Sequence, residues 1–247
     1  MSSVAASANA NHLPVIILIG RPAAGKSEVI DFLKKASPPE RLRRFHVSQF
    51  EEFDDFPYVW ETFEIDDILS RHKKNRLSTD EKYWFKDPFI WNLFIERINL
   101  AYRKKLAADL NYHASCTSIV EFSRGGEHGF EEAFSYLHDE ILKRAGIIYI
   151  KVSYEESVRK NRRRARPGME DSILYHSLPD DKMEAYYKIN DWDALAAHDP
   201  GFITVKGHKV PYAVFQNEPE KTDNPASLGD ELERVTGRLW KLKQSSS

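Results

Sequence analysis

The densest chemistry in the chain lies at Gly20-Arg21-Pro22-Ala23-Ala24-Gly25-Lys26-Ser27. The spacing G-x-x-x-x-G-K-[ST] suits a loop whose backbone N–H groups turn inward onto phosphate oxygens. Side chains at Gly20 and Gly25 would obstruct that turn. A helix expected directly after the loop would aim the positive end of its dipole at the same phosphates. Lys26 adds a mobile charge for the β- and γ-phosphates of a triphosphate, and Ser27 offers a hydroxyl to Mg²⁺. ATP with Mg²⁺ is the expected ligand pair, held by residues 20 to 27.

Three further clusters suit the other half of a transfer reaction. The stretch QFEEFDDFPYVW, Gln49 to Trp60, sets Glu51, Glu52, Asp54 and Asp55 among Phe53, Phe56, Tyr58 and Trp60. A carboxylate here can take or orient the proton of an acceptor hydroxyl. The aromatics, Trp60 among them, can wall a ring-shaped acceptor; the plainer alternative is an acidic surface loop anchored by its aromatics. Glu121-Phe122-Ser123-Arg124 closes an expected strand. Glu121 suits the Mg²⁺ shell or the role of base, and Arg124 suits a cleft rim facing a charged acceptor. The alternative for Glu121 is an edge acid paired with an arginine. Which of Asp54, Asp55 and Glu121 is the base stays open. Finally, Arg159, Arg162, Arg163, Arg164 and Arg166 crowd one expected helix. They repel one another unless anions neutralise them, and a transferring phosphoryl group is such an anion. A nucleic-acid contact and a solvated basic face are the alternatives.

The elements that must position these residues follow from pattern. Val15 to Ile19 is a continuous apolar run, a strand buried on both faces. The first helix is expected to reach about Lys35 and to stop at Ser37-Pro38-Pro39. A second strand is expected over Arg41 to Val47, placing the Asp54-Asp55 stretch just beyond its carboxyl end, where α/β sheets bind ligands. Residues 61 to 111 read as mostly helical, with a capping box at Ser78-x-x-Glu81. A long helix from about Phe89 to Leu110 carries Trp91, Phe94, Ile95, Ile98 and Tyr102 at helical spacing. Acceptor specificity is expected in this insertion. Strands are expected at Ser118 to Phe122 and Ile147 to Val152, and one helix over Gly129 to Lys143. The Arg-rich helix opens with a capping box at Ser153 to Glu156 and leads to a mobile connection, Pro167 to His176. A helix over Pro179 to Trp192, a short strand at Phe202 to Val205 and a last sheet strand at Tyr212 to Phe215 follow. Asn217 to Pro225 is a polar loop expected near the nucleotide base, and a helix from about Leu228 to Leu242 closes the chain.

Bulk properties narrow the class. With 247 residues, 41% hydrophobic and 30% charged, the chain suits one domain with an insertion. Residues 1 to 12 and 244 to 247 read as disordered tails around a domain spanning 13 to 243, with a helical insertion at about 61–114 and a lid at about 153–178. A net charge of −2 argues against bulk binding to nucleic acid or an anionic membrane. The single cysteine, Cys116, suits a reducing compartment, and no leader pattern is visible, so a cytoplasmic location is expected. No apolar run reaches transmembrane length.

The layout resembles the nucleoside and nucleotide kinase branch of the P-loop fold. The phosphate loop carries the resemblance, matched by Lys26 and Ser27; Arg159, Arg162, Arg163 and Arg166 match that branch's lid by placement. Asp54-Asp55 resembles the acceptor-side acidic pair of polynucleotide and small-sugar kinases. Glu121 to Arg124 is similar to the Glu-Arg-Ser signature of deoxynucleoside kinases, with a different order and spacing. The resemblance implies a three-layer α/β fold with a mostly parallel five-stranded sheet, a helical insertion after strand 2 and an Arg-rich lid. It implies ATP- and Mg²⁺-dependent phosphoryl transfer to a small acceptor, a nucleoside or nucleotide. The rival readings are a nucleotide-dependent switch acting through a protein partner and a polynucleotide 5′-hydroxyl kinase.

Overall fold

A computed structural model describes residues 11–164 and 177–245. The elements in order are β1 (Val15–Gly20), α1 (Lys26–Lys35), α2 (Pro38–Phe45), β2 (Gln49–Asp54), α3 (Phe56–Arg71), α4 (Ile90–Ala108), α5 (Tyr112–Ser115) and β3 (Cys116–Phe122). Then follow α6 (Gly129–Tyr136), α7 (Asp139–Leu142), β4 (Ala145–Lys151), α8 (Tyr154–Arg164), α9 (Asp180–Tyr187), α10 (Trp192–Ala196), β5 (Phe202–Val205), β6 (His208–Gln216) and α11 (Pro225–Gln244).

Their sheet runs β2-β3-β1-β4-β6-β5. All neighbours are parallel except the β5–β6 edge pair. The sheet therefore has six strands rather than the expected five, because Phe202–Val205 joins it as an antiparallel edge. Every residue of β1 is buried, as its apolar run requires when helices cover both faces. One core layer joins β1, β3 and β4 to α4, α6 and α10 through Ile17, Val120, Ile98, Phe130 and Trp192. The other joins the opposite face to α1 and α11 through Ile16, Ile148, Val29, Leu232 and Val235.

Several sequence expectations need correction. Arg41 to Val47 is not a strand. Pro38 and Pro39 open α2 instead, since proline is preorganised for a first helical turn, and Arg41 and Phe45, four apart, are its buried residues. The second strand lies at Gln49–Asp54, so the acids sit on the strand itself and at its end. Its charged residues suit an edge strand, and Glu51 and Glu52 pair with Lys105 and Lys34. The insertion is less helical than expected. Residues 72–89 form an irregular loop with a Thr79–Phe85 bridge, and no helix starts at Ser78. The Ser78, Leu77 and Thr79 amides and the Thr79 hydroxyl all bond to the buried Asp66 carboxylate instead. Gly129 to Lys143 splits into α6 and α7, and Pro179 to Trp192 ends its first helix at Tyr187. The capping bond at Ser153 does form, Glu156 N donating to its Oγ at 3.1 Å. His12 is only 4% exposed and α11 reaches Gln244, so neither belongs to a tail. Arg166 and Pro167 to His176 lie outside the described residues. Among the described residues no helix is long and apolar enough to cross a membrane.

Candidate active site

The phosphate loop leaves the end of β1 and enters α1 at Lys26. Its two glycines are needed for different reasons. A Cβ at Gly20 would lie 2.8 Å from the Ile150 carbonyl oxygen. Gly25 has φ of +119°, and a Cβ there would meet Asn217 Nδ2 at 2.7 Å. Asn217 is fully buried and donates to the Ala24 carbonyl at 2.7 Å. The polar loop expected near a nucleotide base thus braces the phosphate loop. Arg21 points its guanidinium away from the cradle, onto the carbonyls of Val152, Tyr187 and Lys188. Pro22 and Ala23 line the cleft. Lys26 Nζ donates to Ser123 Oγ at 2.7 Å and to the Arg21 carbonyl at 3.3 Å, and stands 3.9 Å from Glu121. Burial lowers the pKa of this ammonium while Glu121 opposes the shift. Ser27 is exposed in the first turn of α1 and lines the same cleft.

Parallel pairing sets Asp54 beside Glu121 in register at the ends of β2 and β3. Asp54 accepts the Phe56 amide at 3.0 Å. Burial, then Glu121 and Asp55, raise its pKa to about 8. Burial also raises Glu121, against the pull of Lys26. Asp55 has another task. It is 5% exposed and pairs at 2.5 Å with Arg124, itself 5% exposed; burial pushes this carboxyl up and Arg124 pulls it down. Arg124 also donates to the carbonyls of Ser123 and Trp91 and lies over the Trp91 and Phe122 rings. The expectation that Arg124 sits at the rim, open to a charged acceptor, is therefore corrected: it is an internal strut.

The donor set tests whether Mg²⁺ fits. Ser27, Asp54 and Glu121 offer hard oxygens, and burial raises the pKa of both crowded carboxyls, a shift that a bound cation would oppose. No group of three or more His, Cys, Asp or Glu stands ready to hold a metal alone among the described residues. That matches magnesium, which keeps waters and binds through one or two carboxylates plus substrate phosphates.

The arginines of α8 divide. Arg159 and Arg162 face away from the cleft, paired with Glu156 and Glu220, and with Asp180. Arg163 and Arg164 line the cleft, held by Glu220 and Glu28. Lys160, which the arginine pattern obscured, is 4% exposed, lines the cleft and pairs with Glu220 at 2.9 Å. The anions that neutralise this helix are thus carboxylates of the same chain.

Beyond the acids the cleft continues into an aromatic chamber, the whole holding about 950 Å³. Phe56, Trp60 and Phe63 come from α3, Tyr83 and Phe85 from the 72–89 loop, Trp91 from α4, and Tyr186 and Tyr187 from α9. Ring centroids 4.9 to 6.4 Å apart link Phe56, Trp60, Phe63, Phe85, Trp91 and Tyr186 in sequence. Of the four aromatics first singled out, Phe56 and Trp60 line the chamber. Phe53 packs in the core against Tyr102, and Tyr58 lies under Arg97. Phe63, Tyr83, Phe85, Tyr186 and Tyr187 were missed; the aromatic density of residues 83 to 94 signals only Tyr83 and Phe85 among them.

No protein-family model and no curated protein matches the chain. Three solved structures align with it along nearly its whole length. APE1195 shares 15% identity over 92% of this chain and 98% of its own, with a TM-score of 0.42. TT1252 from Thermus thermophilus shares 15% over 95% and 98%, also at 0.42. A sugar kinase from Janibacter sp. shares 12% over 90% and 92%, at 0.41. The α/β architecture is compatible with a P-loop-like fold on its own topology, with the phosphate loop following central β1.

Proposed function

We propose that the chain is an ATP- and Mg²⁺-dependent phosphotransferase that moves the γ-phosphoryl group to a small ring-bearing acceptor, a nucleoside or nucleotide. One observation carries this reading. A phosphate cradle and an aromatic chamber open into a single cleft, with Asp54 and Glu121 on its wall. Its volume is that of a small-molecule site. In this reading Lys26, Arg163 and Arg164 offset charge on the moving group. Ser27 and Glu121 hold the magnesium, which supplies charge neutralisation at the phosphates when bound. Asp54, in its ionised form, takes the acceptor proton. Asp55 acts by fixing Arg124. Pairing of the α8 arginines with Glu156, Glu220, Asp180 and Glu28 weighs against a polynucleotide acceptor.

The test is a thermal-shift screen of nucleosides, nucleotides and sugars with a non-hydrolysable ATP analogue and Mg²⁺. A true acceptor at 100 times its Kd adds ~2.7 kcal/mol of stability. Calorimetry that finds no magnesium-nucleotide uptake by folded protein overturns the reading. ATP turnover indifferent to every acceptor but altered by a protein partner favours the switch instead.

A further inference from the structure

The cleft lining includes a buried cation, without a carboxylate partner among the described residues, that the transfer chemistry leaves unused. Lys182, on α9, is 7% exposed and lines the cleft. Its Nζ donates to the Tyr83 carbonyl at 3.0 Å and lies 5.5 and 5.4 Å over the Tyr83 and Trp84 rings. No described carboxylate comes within 4 Å of it, although Asp181 and Asp80 act on it from farther away. The other buried cations of the cleft differ: Lys26 stands beside Glu121, and Lys160 pairs with Glu220. An ammonium has three N–H donors, and one backbone oxygen satisfies only one of them. Burying such a group without a carboxylate is costly, and two ring faces offset only part of that cost. The loop that supplies its partner is itself held in place. Tyr83 has φ of +61°, and Asp66 gathers the amides of residues 77 to 79.

We propose that Lys182 is a specificity-determining residue that donates a hydrogen bond to a ring-edge oxygen of the acceptor, selecting heterocycles that carry a carbonyl over those that do not. This rests on the phosphotransferase reading above and deepens it. The aromatic walls select for a flat ring of any kind, since every ring has a face. A donor at the edge of the chamber distinguishes one ring from another. A charged donor left without its acceptor loses a bond it can make with the right ring, and the difference corresponds to about tenfold or more in affinity.

Inosine and purine riboside differ by one ring oxygen and form the test pair. The wild type is expected to prefer inosine by about tenfold or more in kcat/KM, with the same order in thermal shift beside a non-hydrolysable ATP analogue. In Lys182→Met the preference falls to near unity, while the Kd for the magnesium–analogue complex is unchanged. Lys182→Gln keeps a donor for the Tyr83 carbonyl and serves if the methionine variant does not fold; it too is expected to lose most of the preference. A preference that survives both substitutions overturns the proposal, as does a wild type that binds the analogue but does not distinguish the two nucleosides. Failure of the wild type to bind the analogue at all strikes the phosphotransferase reading instead.

Discussion

At the phosphate end of the cleft the backbone makes the site. Eight consecutive residues set the amides, two glycines permit the turn, and Asn217 braces it from a distant loop. At the aromatic end side chains make the site, and they come from α3, the 72–89 loop, α4 and α9. The first end is local and rigidly prescribed; the second exists only after the chain has folded. The difference teaches where each kind of information resides. In the proposed reading, recognition of phosphate fits in one short motif, while recognition of a particular ring needs surfaces gathered from residues over a hundred positions apart.

Arg124 offers the severest way to break that contrast, because it touches both ends: Asp55 on one side, the Trp91 carbonyl on the other. Arg124→Met leaves a buried carboxylate unpaired and is expected to cost about 3–5 kcal/mol of stability in a urea melt. If the two ends are separate devices, a substitution confined to one spares the other, whereas this one damages both. Lys26→Ala comes next. It is expected to preserve the fold by circular dichroism and to remove ~3 kcal/mol or more of transition-state stabilisation. Turnover like the wild type's would refute the phosphate-end assignment. Trp60→Ala addresses the other end, weakening the acceptor by ~1–3 kcal/mol, the usual worth of base stacking. It should raise the acceptor KM and leave nucleotide affinity alone; equal weakening of both ligands would merge the two ends into one.

A further effect is one of pH. Asp54 has its folded pKa raised to about 8 and Glu121 is raised as well. Carboxyls raised above their unfolded values, ~4, stabilise the fold fully below that pH, and the contribution disappears as pH rises through the folded values. The Asp54 contribution to Tm should therefore decline between about pH 4 and pH 8, against an opposite contribution from His113, whose pKa burial lowers to about 4. Asp54→Asn should flatten that decline, and an unchanged slope would show that the acids are not coupled as described.

Legibility in the sequence followed the same divide. The strand β1 and the turn into α1 at Lys26 are readable because the residues that prescribe them are neighbours. Asp54 and Glu121 were readable as acids at strand ends, and parallel register then set them side by side. The second strand was misplaced because Phe45 and Val47 alternate like a strand, whereas Pro38-Pro39 commits the segment to a helix. Arg124 was read as a rim residue because its partner Asp55 is 69 positions away. Arg159 and Arg162 were read as phosphate ligands, since the carboxylates that neutralise them, Glu220 and Asp180, come from other segments. Lys182 carries no local signal at all. Its setting is created by Tyr83 and Trp84, about a hundred residues earlier.

The grip of Arg21 on the Val152, Tyr187 and Lys188 carbonyls has a consequence of its own. It ties the loop after β1 to the end of α9, where Tyr187 lines the cleft. Any coupling between two ligands in these places has this set of bonds as a route, and it is reciprocal. Whatever factor the first contributes to the second's affinity, the second must return in full.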